Sequence, residues 1–176
     1  MEVRLATQRD AAAIQEIYAP IVLSSFTSFE TDVPTAEQMR DRVLATLARH
    51  PWLVATDGDA VTGYAYASRH RERAAYQWSV DVSVYVHPAH QRRAVATRLY
   101  RELFDRLRAQ RFVSAYAGIA LPNDASVRLH ESFGFVPVGV YRNVGFKLGA
   151  WRDVGWWQLA LQEPPASPES PRPPLT

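Results

Sequence analysis

Apolar residues along the chain follow two spacings, one typical of strands and the other of helices. Short runs that are apolar throughout, or apolar at every second position, indicate strands packed in a sheet. We predict seven strands: Val3–Ala6, Trp52–Thr56, Ala60–Ser68, Trp78–Val86, Phe112–Ile119, Phe135–Tyr141 and Trp156–Leu161. The dipeptide Asp57-Gly58 favours a tight turn, so we expect the second and third strands to form a hairpin.

Four other segments repeat their apolar residues every three or four positions, which predicts amphipathic helices. A capping box at Thr7–Asp10 opens the first helix, and Pro20 is expected to limit it because proline lacks the amide hydrogen that continues a helix. The other three helices are predicted to begin at Thr35, Ala94 and Asn123, and the last two of them to end at Gln110 and Phe133.

The predicted elements follow the order βααβββαβαββ, which indicates an α/β (α+β) fold with a mixed twisted sheet and helices on both of its faces. We predict a single domain over residues 1–163. The tail, residues 164–176, is rich in proline and is expected to be disordered, because it has few apolar residues to bury. Residues 24–33 are predicted to form a loop over the functional site, and residues 143–153 an excursion between the last two strands.

Composition limits the classes to which the protein can belong. Of its 176 residues, 47% are hydrophobic and 22% are charged, which is typical of a globular protein. The chain has no cysteine, which excludes disulfides and thiolate chemistry. We find neither the apolar stretch of a signal peptide nor a run that spans a bilayer, so we expect a cytoplasmic protein without a membrane partner. The formal charge of +2 gives little support to nucleic-acid binding.

The most informative stretch, Ser83–Thr97, leads from a predicted strand through a short loop into a helix. His87 and Pro88 end the strand, since proline cannot donate a hydrogen bond within a sheet. The loop carries Arg92 and Arg93 to the start of the helix, where the first amide hydrogens lack partners and the helix dipole is positive. These features predict a phosphate or pyrophosphate site, although arginines in such loops more often interact only with water.

A second informative stretch is Asn123–Phe135, NDASVRLHESFGF. It has a structural interpretation, as a capped amphipathic helix that ends before Gly134 and buries its apolar side in the core. It also has a functional one, because Asn123 lies at an exposed helix start and His130 follows it on the same helix.

These two stretches together resemble the GNAT acetyltransferases. Gln91, Ala94 and Ala96 occupy the positions of that family's acyl-coenzyme-A loop, Q/R-x-x-G-x-G/A, with alanine in place of the first glycine. The second stretch is similar to the family's N-x-x-S/A-x-x-L/F-H/Y-E-x-x-G-F segment. The resemblance implies the GNAT fold and acetyl-coenzyme A (acetyl-CoA) as cosubstrate. It places the acetyl-CoA contacts at Val84, Tyr85, Val86, Arg92, Arg93, Ala94, Val95, Ala96, Thr97 and Asn123.

Further segments are similar to the phosphinothricin (methionine sulfoximine) acetyltransferase branch of that family. They include TSFETD, RERAAYQWSVDVSVYV and FKLGAWRDVGWWQL. The branch implies an N-acetyltransferase, homodimeric, that modifies the amine of a small amino acid or analogue. It places substrate contacts at Phe29, Arg73, Tyr76 and Tyr85. The Arg73 guanidinium suits a carboxylate or phosphinate. Without the resemblance, Phe29 is equally well explained as a packing residue and Arg73 as a charge in contact with water.

Asp81 and His130 are the candidate catalytic residues. An aspartate in the middle of a strand is unusual and costly to bury, and alternation places Asp81 on the same face as Ser83 and Tyr85. The branch usually has the longer glutamate at this position. We expect Asp81 to take the proton of the substrate amine and His130 to protonate the leaving thiolate or relay the proton. The alternative, in which His130 is the base, stays open at this point.

Three further expectations concern the loop and the rival functions. We expect Ala94 to have a helical φ, which an alanine adopts without strain. His87 and His90 lack a third ligand nearby, so we expect no metal. The rival functions are acetylation of protein N-termini or aminoglycosides, and acyl-CoA binding without catalysis.

Overall fold

The sheet has seven strands in the order β1-β2-β3-β4-β5-β7-β6 within residues 1–174, the part of the chain that the computed structural model describes. Every neighbouring pair is antiparallel except β4 and β5, which are parallel. The strands are β1 (Glu2–Leu5), β2 (Trp52–Asp57), β3 (Ala60–Arg69), β4 (Ser79–Val86), β5 (Ser114–Leu121), β6 (Val136–Lys147) and β7 (Ala150–Ala160).

Four helices cover the two faces of this sheet, as predicted. They are α1 (Ala11–Ser24), α2 (Ala36–Leu47), α3 (Val95–Ala109) and α4 (Asp124–Ser132). Helices α1 and α2 pack on one face, around a cluster that includes Ile14, Ile17 and Val43. Helix α3 packs on the other face together with apolar residues of α4. The predicted order of strands and helices is confirmed. None of the helices within residues 1–174 has the length and apolarity needed to cross a membrane.

Helix α3 approaches the sheet closely because β3 carries a glycine beneath its first turn. Leu99, Leu103 and Leu107 are fully buried, as their spacing predicts. A Cβ atom on Gly63 would lie 2.8 Å from the backbone oxygen of Tyr85 and 2.9 Å from Cγ1 of Val95. A larger residue at Gly63 would therefore push the start of α3 away from the sheet.

The prediction that Pro20 limits the first helix is wrong. Helix α1 continues through Pro20 to Ser24. A proline inside a helix removes the bond to the carbonyl four residues earlier, here that of Glu16. Both residues are exposed, so water can satisfy that carbonyl, and the opposite side of the helix keeps Ile17 and Val22 buried. Burial of that apolar side outweighs the one lost hydrogen bond.

The prediction of an excursion between the last two strands, at residues 143–153, is also wrong, because these residues belong to one long hairpin of β6 and β7. The two strands are joined by Leu148 and Gly149, which both have positive φ and match the twist of a two-residue turn. A shift of register between Tyr141 and Gly145, with Asn143 at a φ of 49°, interrupts the pairing. This bulge breaks the alternation that would have indicated a continuous strand.

The tail forms no helix or strand as far as Pro174, but it lies against the domain. The amide of Arg172 donates to Gln110 O at 2.9 Å, and Gln110 Nε2 donates to Arg172 O at 2.7 Å. Trp78 Nε1 donates to Glu169 O at 2.8 Å. The division of the chain near Pro164 and the disorder of the tail stay predictions, and Leu175 and Thr176 lie outside the described residues.

Candidate functional site

The central feature of the site is a gap between the two parallel strands. Within the described residues, β4 and β5 pair with each other only where Ser79–Asp81 face Ser114–Tyr116. Beyond these positions β4 continues to Val86 and β5 to Leu121, with no pairing between the two strands. The gap is lined by β4, β5, the first turns of α3 and α4, and His130. We call it the β4–β5 cleft.

The unpaired edge of β4 presents backbone groups to this cleft. The amide of His87 donates to Thr62 O, and pairing then alternates along the antiparallel β3–β4 ladder. Tyr85 therefore directs its backbone groups to β3, while Val84 and Val86 direct theirs to the cleft. Buried backbone groups without partners are costly, so this edge is suited to a ligand that pairs with it as an added strand would.

The loop before α3 has a conformation that the sequence did not predict. Ala94 has a φ of 59° and Arg92 a φ of 61°, so both lie in the left-handed region. The expectation of a helical φ at Ala94 is wrong, because the chain must turn sharply there to enter α3 at Val95. Ala94 supplies no side-chain cap, which leaves the first amide hydrogens of α3 available to an anion. Arg92 and Arg93 are exposed beside them.

Asn123 completes the cleft from the side of α4. Its Oδ1 accepts a hydrogen bond from the amide of Ser126 at 3.1 Å and so caps the helix, as predicted. Within residues 1–174 its Nδ2 has no hydrogen-bond partner, and the residue lines the cleft. The side-chain amide is therefore available to donate to a ligand.

His130 lies in the wall of the cleft with both ring nitrogens occupied. Its Nδ1 is 2.7 Å from Ser126 O, and because a carbonyl only accepts, Nδ1 carries the hydrogen. Nε2 then accepts from the Tyr100 hydroxyl at 2.9 Å. Burial lowers the pKa of His130, although the bond to Ser126 opposes this. The imidazole is therefore neutral at pH 7 and has no free nitrogen.

Asp81 lies in a second space, which we call the Asp81 cavity. It has a volume of about 570 Å³, which is in the range of small-molecule sites. Asp81, Ser83 and Tyr85 line it from the α1 and α2 face of the sheet, as the alternation predicts, and Phe29 and Trp156 line it from other elements. Six residues line both this cavity and the β4–β5 cleft: Thr27, Val82, Ser83, Tyr85, Gly118 and Ala120. The two spaces therefore meet in the gap between β4 and β5.

The Asp81 carboxylate is anchored by a residue that the sequence analysis did not single out. His70 Nδ1 lies 2.6 Å from Asp81 Oδ1. Burial raises the pKa of Asp81, while the hydrogen bond to His70 and the charge of Arg71 oppose this. The only sequence signal is that His70 follows directly after β3 and Asp81 lies near the start of β4, and this does not predict a contact between the two side chains.

Phe29 is held in the Asp81 cavity by the β6–β7 hairpin. A Cβ atom on Gly145 would lie 2.2 Å from Cε2 of Phe29, so only glycine leaves room for the ring. Lys147 Nζ donates to Ser28 O at 2.6 Å and fixes the backbone beside the ring. The Tyr18 hydroxyl and Ser28 Oγ are 2.6 Å apart.

The other predicted substrate residues are not all in one place. Tyr85 lies where the cleft and the Asp81 cavity meet, with its ring 5.3 Å from that of Tyr18. Tyr76 is exposed and its ring touches that of His70. Arg73 lines neither space. It lies in a third cleft, the arginine cleft, which is also lined by Arg49, Arg69, Arg71 and Arg172.

The two histidines after β4 do not form part of a metal-binding group. The rings of His87 and His90 are 5.7 Å apart, and His87 Nδ1 accepts from the amide of Ala89. Within residues 1–174 there is no group of three or more His, Cys, Asp or Glu residues that could hold a metal ion.

Comparisons with known proteins agree with this geometry. Residues 3–156 match the model of a protein family that is described as "Acetyltransferase (GNAT) domain". A phosphinothricin N-acetyltransferase of Streptomyces viridochromogenes is 42% identical over 98% of this chain and 94% of its own length. An L-methionine sulfoximine/L-methionine sulfone acetyltransferase of Salmonella typhimurium is 37% identical over 93% of this chain and 96% of its own length.

Solved structures are similar over the same range. A GNAT-superfamily phosphinothricin acetyltransferase from Sinorhizobium meliloti, in complex with acetyl-CoA, superposes with a TM-score of 0.91. It is 34% identical, over 96% of this chain and 92% of that one. The two folds are therefore alike over nearly the whole of this chain.

The left-handed conformation of Ala94 leads to a prediction about stability. Glycine avoids the cost of about 1–2 kcal/mol that a side chain has in this region, but it also makes the unfolded chain more flexible. We expect Ala94→Gly to raise the free energy of unfolding by about 1 kcal/mol, measured by urea denaturation. Ala96→Gly, two residues later in α3, is the control and should lower it by about 0.5–1 kcal/mol. Equal destabilisation by both variants would contradict the assignment.

Proposed function

This chain belongs to the GNAT acetyltransferase family, and we propose that it transfers the acetyl group of acetyl-CoA to the amine of a small amino acid or analogue of the phosphinothricin or methionine sulfoximine type. The observation that carries the proposal is the meeting of two spaces in the gap between β4 and β5. One space offers an unpaired strand edge and a helix start, and the other offers an anchored carboxylate. The relatives that support this acceptor class match the chain over nearly its full length.

The residues of the β4–β5 cleft fit acetyl-CoA. The backbone groups of Val84 and Val86 are placed to pair with the amides of the pantetheine arm, and Asn123 to donate to it. The amide hydrogens at Val95, Ala96 and Thr97, together with Arg92 and Arg93, suit the pyrophosphate. When bound, acetyl-CoA supplies the acetyl group as a thioester. We further propose a cytoplasmic location, where this cosubstrate is abundant.

Asp81 is the proposed base for the acceptor amine. An α-amine is mostly protonated at neutral pH, so it must lose a proton before its nitrogen can form a bond to the thioester carbonyl. Asp81 accepts that proton, the new C–N bond replaces the C–S bond, and the thiolate leaves. The amide of Val86, directed into the gap, donates to the carbonyl oxygen as charge develops there.

His130 has the smaller proposed role. Its lowered pKa keeps it neutral, and its nitrogens are bonded to Ser126 O and the Tyr100 hydroxyl. It can protonate the thiolate or relay a proton only by giving up one of these bonds. A coenzyme A thiolate leaves readily near its ordinary thiol pKa of about 8.5, so this help is less important than removal of the amine proton.

We also propose a homodimer, formed through the β6–β7 hairpin. Strand β6 is at the edge of the sheet, and the hairpin exposes apolar side chains that include Val138, Phe146 and Trp151. Trp151 is 62% exposed. An unpaired edge beside an apolar surface is a liability for a monomer, and a second copy of the chain can cover both.

The activity and the base are tested together. The protein is supplied with acetyl-CoA and a panel of amino acids and analogues, and release of free thiol is followed. We expect Asp81→Asn to lower turnover by about 10²–10⁴-fold, because it keeps the size of the side chain and removes the proton acceptor. His130→Phe should cost less. Activity should fall as the pH drops below the raised pKa of Asp81, where the carboxylate becomes protonated.

Acetyl-CoA affinity, measured by calorimetry, should be nearly unchanged in both variants. The opposite result would make His130 the base instead: near-full activity of Asp81→Asn, together with an activity of His130→Phe that no longer rises with pH.

Arg73 lies in the arginine cleft and does not line the Asp81 cavity, and we propose that its side chain turns towards that cavity to contact the anionic group of a bound substrate. We expect Arg73→Ala to raise KM for an anionic acceptor about tenfold to hundredfold, the equivalent of a lost charge-assisted contact of ~1.5–3 kcal/mol, and to leave KM for acetyl-CoA unchanged. Arg49→Ala, in the same cleft, is the matched control. Equal effects of the two variants would indicate general electrostatic attraction rather than a contact of Arg73.

The contact between Phe29 and Gly145 predicts a selective effect on the acceptor. In Gly145→Ala the new methyl group must displace the Phe29 ring from the Asp81 cavity, so we expect KM for the acceptor to rise several-fold and KM for acetyl-CoA to stay the same. Gly139→Ala, in the same strand, is the control, because a Cβ atom there meets nothing within 4 Å. An unchanged acceptor KM in Gly145→Ala would exclude Phe29 from the acceptor site.

The dimer is tested by sedimentation equilibrium at micromolar concentration. We expect the mass of two chains, and a shift towards one chain in the variant Phe146→Lys, which places a charge in the exposed apolar surface. Leu23→Lys, at an exposed apolar residue of α1, is the control. A single-chain mass for the unmodified protein would refute the proposal.

A further inference from the structure

His70 is held in one orientation by aromatic rings from three other elements. Its ring stacks on Tyr116 of β5, with centroids 4.3 Å apart and planes at 16°. The edges of Tyr76 and Trp156 approach it, each with a centroid distance of 6.1 Å. These contacts direct Nδ1 to Asp81 Oδ1, at 2.6 Å. Such a ring cannot rotate freely, so the direction of its hydrogen bond is fixed by packing.

The bond divides the Asp81 carboxylate into two functionally different oxygens. Oδ1 is taken by His70, whereas Oδ2 has no hydrogen-bond partner within residues 1–174 and is not among the fully buried polar atoms. Asp81 lines the acceptor cavity, but His70 does not. The carboxylate therefore meets a ligand in the cavity with Oδ2, while His70 stands behind it.

Nε2 of His70 is on the side away from the carboxylate. It too has no hydrogen-bond partner within residues 1–174 and is not one of the buried polar atoms without partners. Nδ1 can then act as donor to the ionised carboxylate while Nε2 forms a hydrogen bond with solvent.

We propose that His70 is a positioning residue for the acetyl transfer: its Nδ1–H fixes Oδ1 of Asp81 so that Oδ2 points to the acceptor amine. The proposal rests on the proposed function of the same site. A short carboxylate on a strand has two rotatable bonds, and an error of about 1 Å in the position of a base can cost 10²-fold in rate. The clamped imidazole removes that freedom without occupying the cavity.

The pH dependence follows from the groups around the pair. The titratable groups that face the His70–Asp81 pair are Arg71, Tyr76, Tyr66 of β3 and Tyr116 of β5. The acceptor cavity is also lined by Tyr18, Glu30 and Tyr85. Arg71 and His70 both favour the ionised carboxylate, against the effect of burial. Loss of the His70 bond therefore raises the pKa of Asp81, and the acid limb of the pH–rate profile moves to higher pH.

Three substitutions separate the hydrogen bond from the ring. His70→Phe keeps a ring to stack on Tyr116 and removes the donor, and we expect it to lower kcat about tenfold to hundredfold and to move the acid limb of kcat/KM to higher pH. His70→Asn places an amide nitrogen close to where Nδ1 stands but lacks the stacked ring, so it should restore part of the kcat lost in His70→Phe and move the acid limb less than that variant does. His70→Gln places its amide further out and should behave like His70→Phe.

The affinity for acetyl-CoA, measured by calorimetry, should be the same in all four proteins. A purely structural role would lower the fraction of active protein without moving the acid limb, and would give no rescue by asparagine. Either result, or kcat unchanged in His70→Phe, would overturn the proposal. Should His70→Phe fail to fold, the comparison of His70→Gln with His70→Asn still decides it.

A measurement without turnover separates this inference from the proposed function. The pKa of Asp81 can be followed by ¹³C NMR of its carboxyl carbon in the substrate-free protein and in His70→Phe. We expect a higher pKa in the variant, and an unchanged pKa would overturn the role of His70. Absence of acetylation of every amine, with the expected change in pKa, would instead refute the proposed function and leave the His70–Asp81 contact established.

Discussion

The early separation of β4 from β5 is the constraint on which the rest of this structure depends. Parallel strands in the middle of a sheet normally pair along their length, but here pairing stops at Asp81. Beyond this point β4 is paired only with β3, and it has α3 and α4 on one side and Tyr18 and Phe29 on the other. The gap is thus an opening through the sheet, and two ligands can meet in it from opposite faces without either entering the core.

Small side chains keep this gap open, and the unpaired backbone along it can bind a ligand. Ala96, Ala117, Gly118 and Ala120 are among the residues around the gap, where larger residues would close it by ordinary packing. The edge groups of Val84 and Val86 are left to water or to a ligand. A ligand that pairs with them binds only the folded protein and so stabilises the folded state.

The sequence predicted the regular parts of this arrangement because periodicity is a property of local burial. Leu99, Leu103 and Leu107 indicated the buried side of α3, and alternation placed Asp81 with Tyr85. It failed where distant contacts override local preference. Ala94 is left-handed because the chain must enter α3 close to Gly63, and Pro20 remains helical because the opposite side of α1 is buried. Neither reason can be read within a few residues of the position concerned.

The difference between local preference and distant contacts also explains why the sequence could not choose between the two candidate bases. The structure favours one of them. Burial moves both Asp81 and His130 towards their neutral forms, so the direction of the pKa shifts does not separate them. Hydrogen bonding does, since both nitrogens of His130 are occupied by Ser126 and Tyr100. Within residues 1–174, Asp81 keeps one oxygen without a hydrogen-bond partner at the edge of the cavity. A base needs an unoccupied lone pair as well as a suitable pKa, and this depends on His70, whose contact with Asp81 exists only in the folded chain.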